Sequence, residues 1–160
     1  MDKSAQLKKL LQLKELRVQK ARADLVAKRR DAKTKQTQLD NMRTAYETKL
    51  EEIDAFAGDL FLELKEEDNT AAFFTGLTLG VFRRRKEAAA LKIKVGRVEN
   101  KKRRADDLLT QAAQTYNELD RSKVAIGKLY DDHKTAEDGA AEQKGEEALA
   151  ELLRKGRNGA

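Results

Sequence analysis

Residues 64–74 read Leu64-Lys65-Glu66-Glu67-Asp68-Asn69-Thr70-Ala71-Ala72-Phe73-Phe74. The polar run 66–70 predicts a turn, and Asn69 and Thr70 are both side chains that can cap a following helix. Working upstream, Leu7, Leu11, Lys14, Val18, Ala21, Leu25, Lys28, Ala32, Lys35, Leu39, Met42, Tyr46, Leu50, Ile53, Phe56, Leu60 and Leu64 advance by almost strictly alternating steps of four and three. Downstream, Phe74, Leu77, Val81, Arg84, Ala88, Leu91, Val95, Val98, Lys102, Ala105, Leu109, Ala112, Tyr116, Leu119, Lys123, Ile126 and Tyr130 keep the same step. Such a repeat is the seam of a coiled coil. Two seams joined by a short turn make antiparallel neighbours. The expected fold is therefore all-α, a long two-helix antiparallel coiled-coil hairpin. Helix one covers about 3–65, the turn about 66–70 and helix two about 71–137. Each helix of about 60 residues would be roughly 90 Å long. After Glu137 the pattern fades, and Gly139, Gly145, Gly156 and Gly159 mark 138–160 as a short C-terminal tail. A short helix fits 146–155, with Leu149, Leu152 and Leu153 on one side.

A fold centre near Asp68 makes facing residue numbers sum to about 137. Leu11 then faces Ile126, Val18 faces Leu119, Leu39 faces Val98 and Leu60 faces Leu77. Small meets large where Ala21 faces Tyr116 and Leu25 faces Ala112. Charge tests this register separately. Net charge is +8 over 1–35, −7 over 36–72, +9 over 73–104, −3 over 105–137 and −1 over 138–160. The fold lays +8 beside −3 and −7 beside +9, both attractive, whereas an in-register parallel dimer would stack each block on its own sign. Lysine meets lysine at two places, Lys14 with Lys123 and Lys35 with Lys102. Their long stems can carry the ammonium groups out to water.

Composition agrees. The 160 residues include no proline, where average usage would give roughly 8, so no helix need break. Charged residues make up 39% and aromatics 5%, which suits a rod better than a globule of one domain. With no cysteine there is neither disulfide nor thiolate metal site. The N-terminus lacks a signal-peptide core. The most apolar run, 71–82, is about one third too short to span a bilayer. The chain thus reads as soluble and cytosolic.

Chemistry is harder to find. No phosphate-cradling glycine loop is present. His133 is the only histidine, lies on the heptad continuation and has no partners for a zinc site. The many carboxylates have no concave pocket that would shift their pKa values. No catalytic residue, cofactor or metal is expected. Two surface features remain. One is the apolar run 73–82, where the seam explains Phe74, Leu77 and Val81 but leaves Phe73, Leu79 and Phe82 pointing partly outward, beside Phe61 and Leu62. Exposed apolar clusters mark interaction sites. Gly76 and Gly80 bare one stripe there. The other is the basic block of the first 35 residues, at the end where the termini meet. It includes Lys8, Lys9, Arg17 and Lys20 but no aromatic to stack on a base.

Together these features resemble the central-stalk proteins of type III secretion systems, the FliJ/YscO family. The resemblance covers roughly 1–137 and is architectural. It implies a cytoplasmic hairpin, similar to the shaft of a rotary ATPase, peripheral to the inner-membrane secretion apparatus. The end with the termini would enter the hexameric secretion ATPase. The turn end would dock on the cytosolic domain of the export gate, and secretion chaperones would be further partners. By the family's spacing of four, three and four, the gate-docking face falls on Phe73, Leu77, Gly80 and Arg84, with Gln38, Met42 and Tyr46 as its other half. Lys8, Lys9, Arg17 and Lys20 would represent the ATPase end. Two other readings share the physical features: a coiled-coil scaffold or adaptor outside secretion, and a nucleic-acid-associated coiled coil. The acidic stretch 47–59 disfavours continuous phosphate tracking along the latter.

Overall fold

The computed structural model describes residues 2–66 and 71–159, with side chains left undescribed at a few of these positions. Two helices account for nearly all of it. α1 spans Lys3–Glu66 and α2 spans Ala71–Asn158, and they pack against each other as a two-helix hairpin. No strand occurs among the described residues. The expected turn and its caps at Asn69 and Thr70 lie outside the described residues, as do the side chains of Phe61 and Leu64. Asp2 opens α1: its carbonyl accepts the first helical bond from Gln6 N at 3.1 Å, as an N-cap residue's does.

Residues cluster into two units. The first contains Met1–Leu25 with Ala112–Ala160, and the second Val26–Gln111. In each, the side chains that leave water follow the seam. Writing the heptad with a and d as seam positions, Val18, Leu25, Ala32, Leu39, Ile53 and Leu60 are buried on α1, and all are a positions. On α2 the buried residues are Ala88, Ala105 and Ala112. The remaining seam residues of α2, among them Leu77, Val81, Leu91, Val98 and Leu119, are half-buried.

Contacts within each unit fit the expected register. In the first, a Cβ built on Gly127 would lie 3.9 Å from Leu11 Cδ1. In the second, Lys49 bridges Glu87 at 2.7 Å, and Phe56 lies against Gly80. These pairs sum to 138, 136 and 136. The structure departs from the expected seam at two points. Lys49, not Leu50, occupies the seam between Tyr46 and Ile53, while Leu50 turns outward. This restores a strict alternation of three and four that choosing the apolar residue had broken. Ala88, opposite Lys49 in this register, leaves room for the lysine stem. At the start of α2, Phe73 is half-buried while Phe74 is 48% exposed, the two rings meeting edge to face at 6.4 Å.

The larger correction concerns 138–160. α2 does not stop near 137 to leave a tail with a separate short helix; it continues unbroken to Asn158. Between its glycines the segment is rich in alanine, glutamate, leucine, lysine and arginine, the strong helix formers, and it lacks proline and β-branched residues. Each glycine costs only about 1 kcal/mol. Lys155 and Arg157 sit in the last turn, where cations suit the helix dipole. Every described side chain over 138–157 is exposed.

The seam lysines are half-buried, and Lys102 reaches out to Asp106 at 2.9 Å. Replacing Lys35 and Lys102 together by leucine should raise Tm, by about 2–4 °C for each kcal/mol gained, in a calorimetric scan. An unchanged or lower Tm would mean the two positions do not face each other.

Candidate partner-docking surfaces

The turn-side unit, Val26–Gln111, carries the most developed side-chain arrangement. Phe56 lies at a seam position of α1. The Arg84 guanidinium sits over its ring, 3.6 Å from the centroid, and Arg84 Nη1 donates to the Gly80 carbonyl at 3.4 Å. A Cβ on Gly80 would lie 3.1 Å from Phe56 Cζ and 3.3 Å from Cε1. Gly80 therefore serves close approach: the ring occupies the space a side chain would need. Cation–π contact of this kind contributes about 0.5–1 kcal/mol at an accessible site.

One turn away, Lys49 Nζ lies 2.7 Å from Glu87 and 3.2 Å from Glu52. Hydrogen bonds to Glu87 first, and then to Glu52, raise the Lys49 pKa above its ordinary 10.5. The Lys49 hydrogen bond and charge, helped by Arg83 and Arg84, lower Glu87 below its ordinary 4.5. Farther along, Arg43 meets Glu99 at 2.8 Å. Both pairs run from a base on α1 to an acid on α2, against the net sense of the charge blocks 36–72 and 73–104.

Two faces flank the seam. On one lie Gln38, Phe73 and Gly80, at g positions. The other, at e and b positions, holds an open apolar groove of about 410 Å³ lined by Ala57, Leu60, Phe74, Leu77, Thr78, Val81, Phe82 and Arg85. Phe82 is 66% exposed beside it. Leu79 and Leu62 are also exposed.

The residues singled out from sequence fall into different settings. Leu77, Arg84, Met42 and Tyr46 are half-buried seam residues, Phe73 and Gly80 are half-buried beside the seam, and Gln38 is exposed. The two halves of the expected docking face are not brought together. The pairs Lys49–Glu87 and Arg43–Glu99 set Gln38, Met42 and Tyr46 beside the stretch of α2 near 91–99, well along from 73–84. In the other unit Lys8, Lys9, Arg17 and Lys20 are all exposed. His133 is half-buried at a seam position; its Nδ1 is enclosed, 3.3 Å from Glu137 Oε1 but without hydrogen-bond geometry. Among the described residues no group of three or more acidic, histidine or cysteine side chains could hold a metal ion, and no helix is long and apolar enough to cross a membrane.

The chain matches no family model, no curated protein and no solved structure. What the surfaces offer must be read from their own chemistry. Sequence reasoning missed Lys49 and the Phe56–Gly80–Arg84 stack. The first was legible in the strict heptad phase. The second needed the facing register, since Phe56 and Gly80 are far apart in sequence.

Two outcomes follow. Gly80→Val should destabilise by about 1–3 kcal/mol, as overpacking does, whereas Gly76→Ala, with open space around it, should stabilise by about 1 kcal/mol. Thermal melts of the two variants check this. For the ion pair, Glu87 contributes stability that is fully present above 4.5 and is lost as pH falls through its lowered pKa. Lys49 contributes stability that is fully present below 10.5 and is lost as pH rises through its raised pKa. The Tm gap between wild type and Glu87→Gln should therefore be flat between those values and shrink on both sides.

Proposed function

We propose that the chain is a non-enzymatic stalk of a type III protein secretion apparatus, coupling the hexameric export ATPase to the export gate. The observation that carries this reading is a set of exposed cations near the start of α1 in a two-helix hairpin whose turn-side unit also exposes apolar side chains. The unit with the chain ends presents Lys8, Lys9, Arg17 and Lys20 to solvent, at e, f, g and c positions. Spread around the outward side of α1, they suit an acidic surface that surrounds the helix. The turn-side unit exposes Leu62 and Leu79 and holds Phe73 half-buried, while the other unit exposes apolar side chains of its own, among them Leu13, Leu16 and Leu129.

The mechanism is mechanical. Exposed ion pairs contribute only about 0–1 kcal/mol each, so contacts between this basic surface and acidic loops of a ring would form and break without locking to one subunit. Apolar docking at the other unit would hold firmly, because burial of a large side chain is worth about 1.5–3 kcal/mol. A weak, slipping contact in one unit and a firm one in the other is what a coupling element requires. Partners on this reading are the ATPase, the cytosolic domain of the gate and secretion chaperones.

Reversal of the four cations together (Lys8→Glu, Lys9→Glu, Arg17→Glu, Lys20→Glu) should abolish stimulation of the ATPase and leave gate binding intact. Phe73→Ala should do the opposite. Both variants should keep wild-type helicity. Stimulation that survives the fourfold reversal would overturn the assignment. Capture of partners from the native cytosol without any hexameric ATPase would leave a scaffold outside secretion as the reading that remains.

A further inference from the structure

The apolar groove on the e and b face of the turn-side unit lies apart from the g positions that carry Gln38, Phe73 and Gly80, and of the expected docking residues only Leu77 lines it. Its floor is made by Leu60, Leu77 and Val81, and Phe74 and Phe82 stand open beside it. Leu50, displaced from the seam by Lys49, continues the apolar strip along α1. Contiguous exposed aromatic and aliphatic surface of this kind calls for a cover.

The rims of the groove indicate which cover. On the α1 side Asp54 is exposed at the groove's end and Glu47 one heptad beyond it; on the α2 side Arg85 lines the groove and Lys92 lies one heptad beyond. One lip is therefore acidic and the other basic. A partner that fits must carry a basic edge over the first and an acidic edge over the second, with apolar residues between. A second copy of the same face does this in one orientation. A two-fold axis parallel to the helices lays α1 of one copy on α2 of the other, acid on base. A two-fold axis across the helices lays α1 on α1, acid on acid, and is repelled.

Register supports the same arrangement. With tips at the same end, each residue of α1 meets the partner's α2 at the height where its own α2 lies. Asp54 then approaches a second copy's Arg85, Glu47 its Lys92, Ala57 its Phe82 and Leu50 its Ala89. All four pairs sum to 139, so one alignment satisfies two ion pairs and two apolar contacts at once.

We infer that the chain forms a parallel homodimer through this groove, with the turn-side units of two hairpins closing into a four-helix bundle. The contact is self-complementary, as a two-fold interface must be, and closed, so it does not propagate into filaments. It buries the groove left open by two helices that cannot cover each other's flanks. Phe82 is its anchor.

The test is sedimentation equilibrium of the full chain across a wide concentration range. The expected result is a reversible monomer–dimer equilibrium. Phe82→Asp should weaken it by at least about tenfold, the effect of losing a central aromatic anchor, with helicity unchanged because Phe82 is off the seam and 66% exposed. Asp54→Arg and Arg85→Asp should each weaken the dimer, and the two in one chain should restore it. A monomer at every concentration would overturn the inference, as would a dimer indifferent to Phe82→Asp or a charge swap that fails to restore. None of these variants alters the four cations or Phe73, so the stalk reading stands or falls separately.

Discussion

A two-helix coiled coil has no interior. Each helix can bury one stripe, against one neighbour, and everything else stays wet. Not one described side chain is fully enclosed, and the buried set is a single file of a residues on α1 with three alanines of the α2 seam. The constraint that orders the rest is therefore the heptad phase. It decides which side chains are buried, which flank the seam as ion pairs and which are left for partners. Phase even overrides hydrophobicity, placing Lys49 in the seam and Leu50 outside it.

That constraint also limits what the molecule can do. Catalysis requires convergent groups in a water-excluding concavity, and the grooves among the described residues are open to solvent. The proposed function rests on surfaces. They include the cations around the N-terminal part of α1 and the exposed apolar groups of the turn-side unit, which carries many basic side chains as well. Within that unit the phase separates two faces, one built on Phe73 and Gly80, the other on Phe74 and Phe82. The Phe56–Gly80–Arg84 stack sits between them. It ties α1 to α2 at the point where outside contacts would otherwise pry the helices apart.

Much of this was legible in the sequence because heptad spacing and charge blocks are long-range signals carried by many residues. The seam, the antiparallel pairing and the register near 137 each rest on a dozen positions or more, and single exceptions such as Phe74 cannot shift them. Local decisions were harder. Leu50 looked like a seam residue because it is apolar, yet the phase requires position 49. The glycines at 139 and 145 looked like breaks, yet the alanines, glutamates and lysines around them hold the helix through to Asn158. The docking residues were least legible. Met42, Tyr46, Leu77 and Arg84 lie in the seam as the heptad step places them, which leaves them little surface for a docking face. That Gln38 lies far along the hairpin from Phe73 follows only once the register is applied to both.

The register is the claim on which both surfaces depend, and cysteine cross-linking tests it directly because the chain has no cysteine of its own. With Val18→Cys and Leu119→Cys in one chain, mild oxidation at high dilution should give an internally cross-linked monomer that migrates faster than the reduced form. Val18→Cys with Ala112→Cys, one heptad out of register, should not close. Cross-linked dimers from the first pair, or efficient closure of the second, would contradict the hairpin as described.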